Sequence, residues 1–188
     1  MLPQPAPPQV RLTYEDYQYL PSDGRRYELV EGELCVTPAP DPFHQTVSRR
    51  LQHALMAQLE DNGVAFVFNA PVDVILSETT VLEPDLVILR QSRKELISKR
   101  GIEGPPDVVV EILSPASRGQ DRHLKRSTYA QYGIGEYWIV DPDIGLIEVH
   151  VLEGRGYKLA ARFDRASTLS SAAFDEIAVP LASVFRPH

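Results

Sequence analysis

The sequence has one cysteine, Cys35, among its 188 residues, so no internal disulfide can form and the core alone must hold the fold. A lone cysteine suits a reducing compartment, and a cytoplasmic protein is expected. No apolar run approaches the ~18 residues of a membrane span, so a membrane partner is not expected. The opening stretch, Met1 to Pro8, has neither a basic segment nor an apolar one and does not read as a signal peptide. Positive charge is also scarce. Lys and Arg number 19 against 26 Asp and Glu, and the net charge of −7 argues against a sequence-blind nucleic-acid coat.

What is present is ordinary for a globular domain, with 43% hydrophobic and 24% charged residues. A chain of this length buries about 70% of its unfolded surface, enough for one core. Residues 1–12 read as a flexible Pro-rich arm and residues 13–188 as one domain. Two segments depart from the acidic average. Arg90, Arg93, Lys94, Lys99 and Arg100 face only Glu95, while Arg118, Arg122, Lys125 and Arg126 face only Asp121. They are either a local basic surface or two solvated segments.

Thr13 and Asp16 frame a short helix over 13–20. Residues 27–30 and 33–37 form a hairpin around Glu31-Gly32. Asp41 and Pro42 open a helix reaching about Asp61, stopped by Asn62-Gly63. Val64–Val74 and Val81–Leu89 are expected as two strands joined at 77–80, and 91–104 as a loop or short helix. Residues 107–113 are apolar on both faces, as in a central strand. A helix over 119–132, a strand at 137–141, a hairpin over 145–163 and a short element at 181–185 complete an α/β (α+β) domain around one sheet.

Two carboxylates stand in otherwise apolar strands: Asp85, in Glu83-Pro84-Asp85, and Glu111, in Val108-Val109-Val110-Glu111-Ile112-Leu113. Burying a carboxylate is costly unless it is paired or bound to metal. Two neighbours repel unless a cation stands between them, and hard oxygen donors with room for water suit Mg²⁺, with Mn²⁺ possible. Lys125 follows on a helix and could orient or deprotonate an attacking water or stabilise charge on a phosphate. The competing account makes each acid a strand-end cap or an Arg partner. Asp121, Lys125 and Tyr129, at i, i+4 and i+8, share one helix face. For Asp121 a surface pair with Lys125 is the simpler reading. His44, in a first helical turn, could meet an anion or have no role.

Tyr27-Glu28-Leu29-Val30-Glu31-Gly32, His44, Pro84-Asp85, Val110-Glu111-Ile112-Leu113-Ser114-Pro115, Asp121…Lys125…Tyr129 and Glu136-Tyr137-Trp138-Ile139-Val140-Asp141-Pro142 occur in that order. From about Tyr14 to Phe185 the chain resembles the bacterial restriction-endonuclease-like family of the PD-(D/E)xK nuclease superfamily. The resemblance implies a restriction-endonuclease-like core with a mixed central sheet flanked by helices. It also implies Mg²⁺-dependent hydrolysis of DNA, with Asp85, Glu111 and Lys125 catalytic. Asp85, Glu111 and the Ile112 carbonyl would hold the metal, and Glu28 matches a family position with a supporting role or a hairpin salt bridge. Leu113 stands where the signature has lysine, and Lys125 matches a displaced one.

DNA is the expected substrate, and cutting both strands would call for a homodimer or higher homo-oligomer. The alternatives are a non-catalytic nucleic-acid-binding or regulatory module on the same fold, and a metal-dependent hydrolase of RNA or small phosphoesters. If only Lys125 offsets the repulsion between Asp85 and Glu111, replacing Asp85 by Asn should stabilise the metal-free fold.

Overall fold

The computed structural model describes residues 10–37, 41–114 and 120–186, without the side chains of 120–122. Most of the expected arm, residues 1–9, lies outside them. Thr13 caps helix α1 (Tyr14–Tyr17) in a reciprocal capping box with Asp16. Strands β1 (Arg26–Val30) and β2 (Glu33–Thr37) form the expected antiparallel hairpin. At its turn Glu31 and Gly32 have φ of 50° and 85°. A Cβ on Gly32 would stand 2.7 Å from that of Arg11, so only glycine fits.

Helix α2 (Pro42–Leu59) begins where Asp41 accepts the N–H groups of Phe43 and His44. Its apolar stripe, Val47, Leu51, Leu55 and Leu59, is fully buried. The next segment corrects the expectation of two long strands. It forms four short ones: β3 (Ala65–Asn69), β4 (Val74–Ser77), β5 (Thr80–Leu82) and β6 (Leu86–Arg90). Pro71 and Pro84 sit in the two breaks, and proline has no N–H to continue a ladder.

At each break the chain changes sheet, so these strands divide between two sheets rather than lying in the single one expected. With β7 (Ile102–Glu103), a five-stranded sheet has the order β2-β1-β5-β4-β7. The remaining elements are β8 (Val108–Ile112), α3 (Gln120–Gln131), β9 (Glu136–Asp141), β10 (Leu146–Glu153), β11 (Gly156–Asp164), β12 (Thr168–Leu169), β13 (Val179–Pro180) and α4 (Leu181–Val184). A six-stranded mixed sheet has the order β11-β10-β9-β8-β6-β3, and β12 pairs with β13. Strand β8 is central, antiparallel to β6 and parallel to β9, with α3 as the crossover.

Alternation along β8 divides the core. Val108, Val110 and Ile112 join the α2 stripe and Trp138 on one face. Val109 joins Tyr129, Ala130 and Ile134 on the α3 side. Glu111 shares the parity of Val109, so it projects toward α3. Among the described residues no helix is long and apolar enough to cross a membrane.

Candidate active site

The break between β5 and β6 carries Asp85, correcting its expected place inside a strand. The β6–β8 ladder pairs Leu86 with Val110, and one further step places Asp85 level with Glu111. Asp85 is buried and has three partners. Its Oδ1 accepts from Arg26 at 2.9 Å, and its Oδ2 accepts the Ile112 N–H at 2.7 Å and meets His44 Nε2 at 3.2 Å. The same Nε2 lies 3.0 Å from the Ile112 carbonyl oxygen. Both neighbours are acceptors, so this ring nitrogen carries a proton.

Glu111 belongs to a second group. Lys125 Nζ reaches its two oxygens at 3.1 and 3.3 Å, and the Tyr129 hydroxyl donates to Oε1 at 2.5 Å. Lys125 also donates to Glu28 Oε1 at 2.8 Å, and the same oxygen accepts the Glu83 N–H at 2.9 Å. Arg26 and Glu28, two apart on β1, serve Asp85 and Lys125 respectively. The spacing Lys125 to Tyr129 aims both side chains at Glu111. The Asp121 side chain lies outside the described residues.

The two acids titrate in opposite directions. Burial would raise Asp85, but the hydrogen bond from His44 and the Arg26 charge outweigh it and hold the carboxyl below its usual range. Burial pushes Glu111 up to about 7; Lys125 opposes this, and the charges of Asp85 and Glu28 add to it. Burial alone would lower Lys125, but Glu111 and Glu28 overcome it and hold the ammonium above the ordinary lysine range. Lys125 is thus held as an ammonium between Glu28 and Glu111. His44 is raised despite burial, chiefly by its hydrogen bond to Asp85.

Against this geometry stand the comparisons with known proteins. The profile of the Uma2 family, described as "Putative restriction endonuclease", matches residues 14–182. The chain belongs to the Uma2 family. No curated protein matches it. A crystal structure described as a "putative nuclease belonging to DUF820", from Anabaena variabilis ATCC 29413, superposes with a TM-score of 0.75. That protein is 20% identical, and the match covers 93% of this chain and 97% of that one. The likeness fixes the fold, a mixed α/β architecture with helices flanking its sheets.

Does a hard divalent ion suit this Uma2 cluster? Glu28, Asp85 and Glu111 face two fixed cations, Arg26 and Lys125, and Glu28 Oε2 is buried without a partner. Among the described residues no three His, Cys, Asp or Glu side chains are grouped to hold an ion. An ion here would rest on two carboxylates, the Ile112 carbonyl and water, a donor set that suits Mg²⁺, which keeps much of its hydration. The residues fit the ion in kind.

Sequence reasoning missed Arg26, for which an i, i+2 relation to Glu28 was the only signal. It also missed Tyr17, whose hydroxyl oxygen lies 2.9 Å from an Asp73 carboxylate oxygen and 3.2 Å from one of Glu83. The first basic segment is largely consumed internally. Arg90 and Arg93 pair with Asp107, and Arg100 pairs with Glu103.

Proposed function

We propose that this Uma2 protein is a divalent-metal-dependent endonuclease hydrolysing DNA phosphodiester bonds. One observation carries the reading. Glu28, His44, Asp85, Glu111 and Lys125 come from β1, α2, the β5–β6 break, β8 and α3, and form two buried ion-paired groups close enough to influence each other electrostatically. Burying this much charge costs more than an apolar cluster of the same shape, and such strain is characteristic of functional sites. The description of the family and the nuclease description of the Anabaena protein point the same way.

Asp85, Glu111 and the Ile112 carbonyl would hold the ion, which when bound polarises a phosphate and lowers the pKa of a water. Lys125, clamped by Glu28 and Glu111, would present a permanent positive charge to the phosphate as negative charge develops on it. Tyr129 fixes the Glu111 carboxylate by its hydroxyl. Arg26 and the Ile112 N–H orient Asp85, and His44 bridges Asp85 to the Ile112 carbonyl. Cutting both strands of a duplex would take two copies of the site, so a homodimer is part of the proposal, to be checked by sedimentation.

The test is cleavage of single- and double-stranded DNA, and of RNA, with Mg²⁺ or Mn²⁺ and with chelator. Wild type should cut DNA only with metal. Lys125→Ala and Glu111→Gln should each lose at least ~10²-fold, the scale of removing one preorganised charge stabiliser. DNA left intact under all conditions would favour the non-catalytic module, for which the saturated ion pairs of Asp85 already speak. Cleavage of RNA alone would favour the RNA hydrolase.

A further inference from the structure

A groove of about 450 Å³ runs along α2 between Gln45, Ser48, Arg49 and Gln52 on the helix and Asn69 at the end of β3. Its volume lies within the ~300–1,000 Å³ usual for ligand sites. In a chain of net charge −7, no acidic side chain lines it. Two of its lining residues are chain neighbours of residues that touch Asp85. On one side His44, a residue before Gln45, contacts Asp85. On the other, Ala70, next after Asn69, donates its N–H to the Asp85 carbonyl at 3.1 Å.

The lining has the chemistry of a nucleotide site. Arg49 is exposed and has no ion-pair partner among the described residues. Its neighbour Arg50 is turned away to the Arg186 carbonyl. Gln52 donates to Asn69 Oδ1 at 3.0 Å, which fixes both amides and leaves the Gln52 oxygen and a second N–H available. Gln45 offers a further exposed amide on the same wall. A guanidinium suits a phosphate, and a side-chain amide matches the paired donor and acceptor of an adenine edge.

We infer that this groove holds a nucleotide of the DNA strand flanking the cut, with Arg49 on its phosphate and Gln45 and Gln52 on its base. The inference rests on the nuclease reading and specifies where that substrate binds. The test is fluorescence anisotropy of the full chain, with chelator present, on labelled single-stranded oligo-dA and oligo-dT at several salt concentrations. Arg49→Ala should weaken both about tenfold and flatten the logarithmic salt dependence by about one unit, and Arg49→Lys should restore the slope. The double variant Gln45→Ala/Gln52→Ala should weaken binding of both oligomers and keep the slope.

Arg155→Ala, in the β10–β11 turn at the far edge of the six-stranded sheet, should bind as wild type does. Unchanged binding by Arg49→Ala overturns the inference, as does an equal loss in Arg155→Ala. Tighter binding of oligo-rA than oligo-dA overturns the assignment to DNA. If wild type cleaves nothing but binding still depends on Arg49, the nuclease reading falls and the groove stands. If cleavage proceeds and Arg49→Ala binds normally, the groove alone falls.

Discussion

Asp85 and Glu111 are both carboxylates in apolar surroundings, yet their partners give them opposite effects on stability. The Asp85 pKa is lowered, so its ionised form stabilises the fold above the ordinary aspartate range, and that contribution fades as pH falls below it. The Glu111 pKa is raised to about 7, so its penalty is absent below the ordinary glutamate value and complete above pH 7. The expectation that Asp85→Asn stabilises the metal-free protein is therefore reversed. Arg26 would be left without its ion-pair partner beside a neutral amide, a loss of about 3–5 kcal/mol. Glu111→Gln instead relieves the crowding with Glu28, while Lys125 keeps Glu28 as its partner. In chelator at pH 8, Asp85→Asn should melt below wild type and Glu111→Gln above it. The Glu111→Gln advantage should shrink toward pH 5. Thermal melts at the two pH values check this, and the opposite order would place the strain on Asp85.

Helix α2 bears on the site through its first turn, which Asp41 fixes by accepting the N–H groups of Phe43 and His44. Asp41→Ala should cost about 1 kcal/mol, the usual value of an N-cap. That is about 2–4 °C in a chain of this size, read by thermal or denaturant melts. This helix was legible because its signals are local: a cap, a proline in the first turn, an apolar stripe and a terminating Asn-Gly. The hairpin at Glu31-Gly32 and the central strand around Glu111 were legible for the same reason. Strand pairing was not. Pro71 and Pro84 were visible, but that they move the chain from one sheet to the other depends on contacts between distant segments. Arg26 was hidden likewise, since nothing near it in sequence marks Asp85, 59 residues away, as its partner. The family motifs pointed to Glu28 and Lys125, but only the fold joins them at 2.8 Å.

Across the whole molecule the cluster lies where the two sheets meet, with Arg26 and Glu28 on the five-stranded sheet, Glu111 on the six-stranded one and Asp85 on the link between them. A divalent ion held by Asp85, Glu111 and the Ile112 carbonyl would bind only the folded chain, because unfolding separates these donors. Binding of that kind stabilises by mass action, about 2.7 kcal/mol at a hundredfold excess over Kd. With about 2–4 °C per kcal/mol for a chain of this length, saturating Mg²⁺ should raise the melting temperature by roughly 5–10 °C. Chelator should reverse the rise. Asp85→Asn should show almost none of it, since the amide supplies a weaker donor with no charge. Surface acids on a chain of net charge −7 could also attract Mg²⁺, but that attraction is screened by salt and indifferent to Asp85. Melts at about 0.15 M monovalent salt therefore separate the two. A rise equal in wild type and Asp85→Asn would mean that the ion binds elsewhere, and the cluster would then have to be read as a structural ion-pair network.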